Sequence, residues 1–345
     1  MVKVGIIGGA GYTAGELIRL LVNHPQVEIA FIHSTSNAGN LVSEVHGGLY
    51  GECDLRFAAE YDLGAIDVLF LCSAHGASAK FMAENEVPAE LKIVDLAQDF
   101  RDEHDGFVYG LAEMQREKIA AATRIANPGC FATAIQLALL PLAAAQLLSD
   151  EVHITAITGS TGAGVKPSAT THFSWRSDNI STYKAFEHQH LLEIGRNLRN
   201  LQPSFDKALN FVPMRGDFAR GILASVYTEC PLSAEEAVAL YKEYYADSRF
   251  CFVAEKNIDL KQVVNTNKAL VYVAKYGSKL HIVSAIDNLL KGASGQAVEN
   301  MNLICGLDEK KILWLVGERP DERIAITDTT KNITRIEFTP TDSPT

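Results

Sequence analysis

The chain has 345 residues, 47% of them hydrophobic, and a formal net charge of −11 from 31 basic and 42 acidic residues. A full core can be buried from this composition, and the length suggests two domains rather than one. No basic run stands out and no apolar stretch is continuous enough to cross a bilayer, which argues against nucleic acid and membrane as partners. Cys53, Cys72, Cys130, Cys230, Cys251 and Cys305 are scattered, with no Cys-x-x-Cys pair and no metal-site spacing. With no signal-peptide pattern, they read as reduced thiols of a cytoplasmic protein.

Residues 2–7 form a β-branched run that fits a buried parallel strand. The run leads into Gly8-Gly9-Ala10-Gly11-Tyr12-Thr13-Ala14-Gly15, and apolar residues then recur at helical spacing from Glu16 to Val22. Strand, glycine-rich turn and helix make a dinucleotide site, with Gly8, Gly11, Tyr12 and Thr13 as candidate contacts. The glycine spacing departs from the strict G-x-G-x-x-G form, so a plain strand–turn–helix stays open at this point. A second strand, residues 27–32, ends in His33-Ser34-Thr35-Ser36-Asn37. An NAD site usually carries Asp or Glu there, gripping the ribose 2′-hydroxyl. Ser34, Thr35 and Ser36 supply no such charge, which favours NADP(H), although no Arg lies in the same loop.

Strands over 68–72 and 93–96, with helices near 76–85 and 112–122, continue the alternation and predict a doubly wound parallel sheet. Ser73 and His75 follow one strand's carboxyl end, where such sheets bind ligands. Ser73 is a candidate cofactor contact, and His75 is either that or a loop brace.

Cys130 lies in Asn127-Pro128-Gly129-Cys130-Phe131, after two breakers and before a strongly helical run with no further breaker until Pro141. The thiol is thereby placed at a helix start, where unpaired N–H groups and the helix dipole lower its pKa and make it a nucleophile. From Glu151 the texture changes to alternating strands over 152–158, 209–212, 222–228, 269–276 and 280–286, followed by a helix over 288–303. This predicts a second, α+β domain with a largely antiparallel sheet. Its small-residue loop, containing Gly162 and Gly164, can admit a ligand closely.

Six ordered strings carry a resemblance: Gly11-Tyr12 with Glu16-Leu17, Asn127-Pro128-Gly129-Cys130, Gly162-Ala163-Gly164, the run from His188 to Ile194, Arg220-Gly221-Ile222-Leu223, and the run from Ala285 to Gly292. With these the chain resembles the N-acetyl-γ-glutamyl-phosphate reductase family of the aspartate-semialdehyde dehydrogenase-like group. The resemblance implies NADPH-dependent reduction of an N-acyl-γ-glutamyl phosphate to the semialdehyde, in arginine biosynthesis, through a thioester on Cys130. It divides the chain into a dinucleotide-binding domain at 1–130, joined by a helix near 288–306, and a catalytic and oligomerisation domain at 131–287. A tail at 308–345 has no assigned role.

A proton donor for the developing alkoxide is needed, and His suits it near neutral pH. His190 stands three residues before Glu193 at a helix start, a spacing that lets the carboxylate orient the ring and raise its pKa. His188 is the alternative, because two residues apart on a regular element the rings cannot face one point alike. Arg220, and with it Arg215, are candidate ligands for substrate carboxylate or phosphate. Asn288 is similar to the amide that fixes a nicotinamide carboxamide in related dehydrogenases; a helix N-cap is the other reading. Val165 stands where the family often has Arg, leaving Lys166 as the substitute charge and keeping an N-succinyl or other acyl group open. Ala14 and Gly15 are exchanged relative to the family pattern. Aspartate-semialdehyde dehydrogenase and a non-catalytic nucleotide sensor are the competing functions, and a homodimer or homotetramer is expected.

Overall fold

The computed structural model describes residues 1–310, which build two sheets. The first part runs β1 (Val2–Ile7), α1 (Tyr12–Leu21), β2 (Val27–His33), α2 (Val42–Val45), β3 (Val68–Leu71), α3 (Ala77–Glu84), β4 (Lys92–Asp95), β5 (Val108–Tyr109), α4 (Ala112–Ala120) and β6 (Arg124–Ala126). Its strands lie in the order β2-β1-β3-β4-β6-β5, and every pairing is parallel. Each residue of β3 is apolar and buried, as a strand covered on both faces requires. Because β1 sits between β2 and β3, the winding reverses beside it, and the crevice at the carboxyl ends of β1 and β3 is the natural ligand site.

The second part runs α5 (Cys130–Ala144), β7 (Val152–Thr158), α6 (Phe173–Arg176), β8 (Ser181–Thr182), α7 (His190–Leu201), β9 (Leu209–Arg215), β10 (Ile222–Glu229), α8 (Ala234–Tyr244), β11 (Cys251–Ala254), β12 (Ala269–Tyr276) and β13 (Lys279–Ile286). The strand order is β11-β12-β13-β10-β7-β9-β8. Four of its six pairings are antiparallel, and β11–β12 and β7–β9 are parallel. Along β10 every second residue from Ile222 to Thr228 is buried, so one face packs on the core and the other stays partly open.

α5 is the keystone of this packing. Every residue from Phe131 to Ala143 is buried, the mark of a helix enclosed on all sides. The helix continues through Pro141, which lacks an N–H and so leaves the Leu137 carbonyl without its helical partner. Tyr245, just past α8, fills that gap: its hydroxyl donates to Leu137 O at 2.6 Å. Tyr241 on α8 donates similarly to Ala138 O at 2.5 Å. The sequence breaker is thus neutralised from outside the helix.

After β13 the chain makes one wide turn, in which Gly292 N donates to Asp287 O and Ser294 N to Leu289 O, both at 2.9 Å. Such π-type turns cluster near functional sites. α9 (Gly295–Ile304) then returns to the first sheet, where Val298 and Met301 share a core with Val4, Leu17 and Ile18. The expected single helix over 288–303 is therefore a π turn followed by a shorter α-helix. Lys291, fully buried in that turn, lies 2.8 Å from both Glu113 and Glu299 and fastens α4 to α9.

The short strands β5, β6, β8 and β11 are additions to the sequence reading, since two to four residues carry too little periodicity to be seen. α8 is a further addition. It buries only Ala237 and Tyr241, but its Ser233–Glu236 capping box was present as a signal. The tail from 311 onward, including the stretch 324–338, lies outside the described residues.

Tyr245→Phe should leave the Leu137 carbonyl buried and unpaired. A loss of roughly 1–3 kcal/mol in chemical denaturation is expected, and Pro141→Ala in the same background should restore much of it.

Candidate active site

A cavity of about 680 Å³ opens where the two sheets meet. Gly11, Tyr12 and Thr13 line it from the β1–α1 turn, Ser73 and His75 from the end of β3, and Cys130 from the start of α5. His188, His190 and Arg215 close it from the second part, with Gly162, Gly164 and Asn288 on the loops between. Most of the residues singled out in the sequence therefore converge on one space.

Behind its wall, and not itself among the lining residues, is the Glu193 carboxylate, buried on α7. Oε1 accepts from Arg101 Nη1 at 3.1 Å, while Oε2 accepts from Tyr109 Oη at 2.5 Å and from the Gly129 backbone N–H at 3.1 Å. Gly129 precedes Cys130 and is the N-cap of α5, so this bond fixes the peptide from which Cys130 departs. Only glycine fits there. A Cβ at position 129 would come within 2.4 Å of His190 Nε2 and 2.7 Å of Glu193 Oε1. The wide turn approaches from the other side, where a Cβ on Gly292 would meet the Cys130 Cβ at 2.9 Å.

Tyr109 is itself held. Its hydroxyl accepts from Gln136 Nε2 at 2.8 Å, and Gln136 Oε1 accepts from Asn197 Nδ2 at 2.7 Å. The chain of bonds links β5, α5 and α7, the helices that carry Cys130 and His190. Nothing in the spacing of these three residues announces that they meet.

The electrostatics correct two expectations. Burial pushes the Cys130 thiol up to about 11; the Arg101 charge and the Phe131 backbone N–H pull it back only in part. The helix start acts as predicted, but desolvation outweighs it. His190 moves the opposite way from the prediction. Burial first, and then the Arg101 charge, press its pKa well below the ordinary value. Glu193 does not reverse this, because its oxygens are engaged by Arg101, Tyr109 and Gly129 and its Oε1 lies 4.0 Å from His190 Nε2. His190 is neutral and its buried Nδ1 has no hydrogen-bond partner among the described residues.

His188 and His190 also face each other more closely than a regular helix or strand allows. Their ring centroids lie 4.5 Å apart, since His188 precedes α7 and its Nδ1 accepts the His190 backbone N–H at 3.2 Å. His188 sits against Phe131, Tyr183 and Phe211, and burial lowers its pKa to about 4. It braces the entry to α7.

Arg220 is a correction. Its guanidinium is bound by Glu16 at 2.6 Å and by both oxygens of Asp287 at 3.0 and 3.1 Å, and it does not line the cavity. It ties α1 to the end of β13 instead of meeting a substrate. Lys166 is another: it is exposed beside Val165 and Gly164, which line the cavity while it does not. Arg215 remains well placed, stacked at 4.6 Å over the Tyr183 ring, with Nε buried and unpartnered among the described residues. Asn288 borders the cavity, but its amide is committed, accepting from Gly221 N at 2.6 Å and donating to Thr161 Oγ1 at 3.0 Å. Asp287, not Asn288, caps the following turn through Leu289 N and Leu290 N. His75 braces its loop, its Nδ1 accepting from Gln98 N at 3.2 Å, and it also lines the cavity.

Residues the sequence reading missed are Arg101, Tyr109, Tyr183 and Lys184. Arg101 comes shortly after the carboxyl end of β4, a position that could have flagged it. Lys184 and Phe186 take left-handed backbone angles, φ +46° and +62°, a concentration of strain leading into His188.

The structure also fits a dinucleotide. Gly8 has φ +82°, and a Cβ there would strike Ser73 Oγ at 2.8 Å and the Cys72 carbonyl carbon at 2.9 Å. The α1 N-terminus has Gly11 as its N-cap with no side-chain cap, leaving its N–H groups for a pyrophosphate. Ser34, Thr35 and Ser36 lie beyond the cavity at the end of β2, and no carboxylate occurs among residues 34–40. The exchanged Ala14 and Gly15 have a local reason: Ala14 is buried, and a Cβ on Gly15 would strike the His46 ring at 2.6 Å.

Two outcomes are expected. Tyr109→Phe removes a donor from Glu193 and should lower kcat by about tenfold or more, with a much smaller change in coenzyme Kd. In the unliganded protein, alkylation of Cys130 by iodoacetamide, followed by peptide mass spectrometry, should accelerate steadily as pH rises toward 11, with no plateau near pH 8.

The semialdehyde dehydrogenase NAD binding domain family matches residues 3–122, and the semialdehyde dehydrogenase dimerisation domain family matches residues 130–288. N-acetyl-gamma-glutamyl-phosphate reductase of Azobacteroides pseudotrichonymphae is 62% identical over 317 residues, covering 91% of this chain and 98% of that protein. The same-named protein of Bacteroides thetaiotaomicron is 61% identical over 312 residues, covering 90% and 97%. Among solved structures, aspartate semialdehyde dehydrogenase II of Vibrio cholerae superposes with a TM-score of 0.69 at 17% identity, over 89% of this chain and 98% of the other. The Candida albicans aspartate semialdehyde dehydrogenase with NADP gives 0.68 at 14% identity, over 91% and 100%. These structures establish the shared fold, and the sequence matches place the chain in the N-acetyl-gamma-glutamyl-phosphate reductase family.

Proposed function

We propose that the protein reduces N-acetyl-γ-glutamyl phosphate with NADPH, giving the semialdehyde and phosphate through a thioester on Cys130. The observation that carries this reading is the meeting of Cys130 with a neutral, buried His190 in one cavity whose floor is fixed by Glu193. Membership of the family supplies the substrate class.

Cys130 rests as a thiol, so its proton must leave before attack, and neutral His190 is the acceptor within the site. The sulfur then bonds to the acyl carbon and the C–O bond to phosphate breaks. Arg215, with its free Nε, suits the substrate's carboxylate, and the Arg101 charge supports the anion developing near Cys130. The Gly8–Thr13 turn and the residues at the end of β2 would hold NADPH, which when bound would supply the hydride that takes the thioester to the aldehyde level. Sulfur departs with its bonding pair and recovers a proton from the imidazolium of His190. His188 keeps that ring in place through the backbone bond it accepts.

The domain division 1–130 and 131–287 follows the two sheets, with α9 returned to the first. The partly open face of the second sheet is the surface we assign to pairing of two copies, consistent with the dimerisation family it matches. The protein acts in the cytoplasm, on a small acyl phosphate. The aspartyl substrate is disfavoured, because the relatives sharing most identity bear the glutamyl name while the aspartate enzymes share 17% identity or less in the comparisons above.

Cys130→Ser should abolish phosphate-dependent reduction of NADP⁺ by N-acetylglutamate semialdehyde while leaving NADPH binding within about twofold. Equal loss of both would mark a structural cysteine. His190→Asn should lower kcat by about 10²-fold or more with little change in coenzyme affinity. If His188→Asn proves the more damaging change in kcat, the two roles are reversed.

A further inference from the structure

The end of β2 lacks an acidic residue, but a 2′-phosphate also needs a cation, and the loop 34–40 contains none. The fold delivers one from a distant part of the chain. Ala58 pairs with His33 and Arg56 with Leu41 in isolated bridges, and Ser34 N donates to Ala58 O at 3.3 Å. These contacts lay residues 56–58 along the loop, and Arg56 Nη1 donates to the Gly39 carbonyl at 2.8 Å. Arg56 is exposed and has no carboxylate partner among the described residues. One nitrogen thus anchors the guanidinium to the loop, while the remaining donors are uncommitted to any acid.

The rest of the neighbourhood is polar and preassembled. Asn37 Nδ2 donates to Ser34 Oγ at 3.3 Å and Ser36 Oγ at 3.0 Å, and the two hydroxyls lie 3.5 Å apart. The Gly9 N–H donates to His33 O at 2.9 Å and the His46 ring bonds Gly9 O at 2.7 Å, so this loop is physically joined to the glycine turn. A fork of N–H donors anchored at Gly39 and hydroxyls clustered at Ser34 and Ser36, on the same loop, together suit a phosphate monoester and have little to offer a bare ribose hydroxyl.

We propose that Arg56 is the coenzyme-discriminating residue of this protein, contributing the cation for the 2′-phosphate of NADPH beside Ser34, Ser36 and Asn37. The assignment rests on the NADPH reading above and concerns a residue well away in sequence from the glycine turn. Gly39 provides the carbonyl that holds the side chain at the loop, which explains how an exposed arginine keeps one direction without a salt bridge.

The test is equilibrium binding, independent of any acyl substrate. NADPH, NADH, 2′-AMP and 5′-AMP are titrated calorimetrically into wild type, Arg56→Ala and Arg56→Lys. Expected results are a rise of about tenfold or more in Kd for NADPH and 2′-AMP in Arg56→Ala, with NADH and 5′-AMP shifting less than about twofold. Arg56→Lys should fall between, as a point charge without the fork. The NADPH Kd of wild type should also rise more steeply with salt than that of Arg56→Ala. Parallel weakening of all four ligands, or an unchanged NADPH:NADH ratio in Arg56→Ala, overturns the assignment alone. A wild type that binds NADPH and NADH equally overturns both the coenzyme reading and the role of Arg56.

Discussion

One carboxylate organises the catalytic end of this molecule. Glu193 accepts from Arg101, Tyr109 and the Gly129 peptide, which come from the first sheet's loops, from β5 and from the start of α5. Buried charge is tolerated only when paired and hydrogen-bonded, so Glu193 compels these three elements to arrive together. The nucleophile's position follows from the Gly129 bond, and the shape of the wall behind it from Arg101. Without that convergence, Cys130 and His190 would be two residues on two helices with no fixed relation.

The same pairing decides the chemistry of the resting state. A carboxylate already shared by three donors has little left for an imidazole 4.0 Å away. His190 therefore waits uncharged, and Arg101 makes a charged ring still less favourable. Burial thus presses the Cys130 thiol and the His190 imidazole the same way, each toward its uncharged form.

Much of this was legible in the sequence. The glycine turn, the alternation of strands and helices, and the break at Pro128-Gly129 before Cys130 each have local causes, so each was visible as a local pattern. Arg220 shows where that method stops. Its string and its charge pointed to substrate, but the fold brings Glu16 and Asp287 around it from positions 204 and 67 residues away, and no local pattern encodes that. Tyr109, Gln136 and Asn197 were hidden for the same reason, since their importance lies in whom they meet. The pKa of Cys130 was misjudged because a helix start is local and readable, whereas burial depends on everything packed around it.

Pro141 and Tyr245 make the converse point. A residue that should end a helix does not, since a hydroxyl from a distant element takes the carbonyl it orphans. The cost of an unfavourable residue is set by its neighbours as much as by its type.

The burial of Cys130 also bears on chemical durability. Peroxides and other oxidants attack thiolates far faster than thiols. Burial that holds the Cys130 thiol above its ordinary range therefore leaves less of the sulfur in the form that oxidants consume.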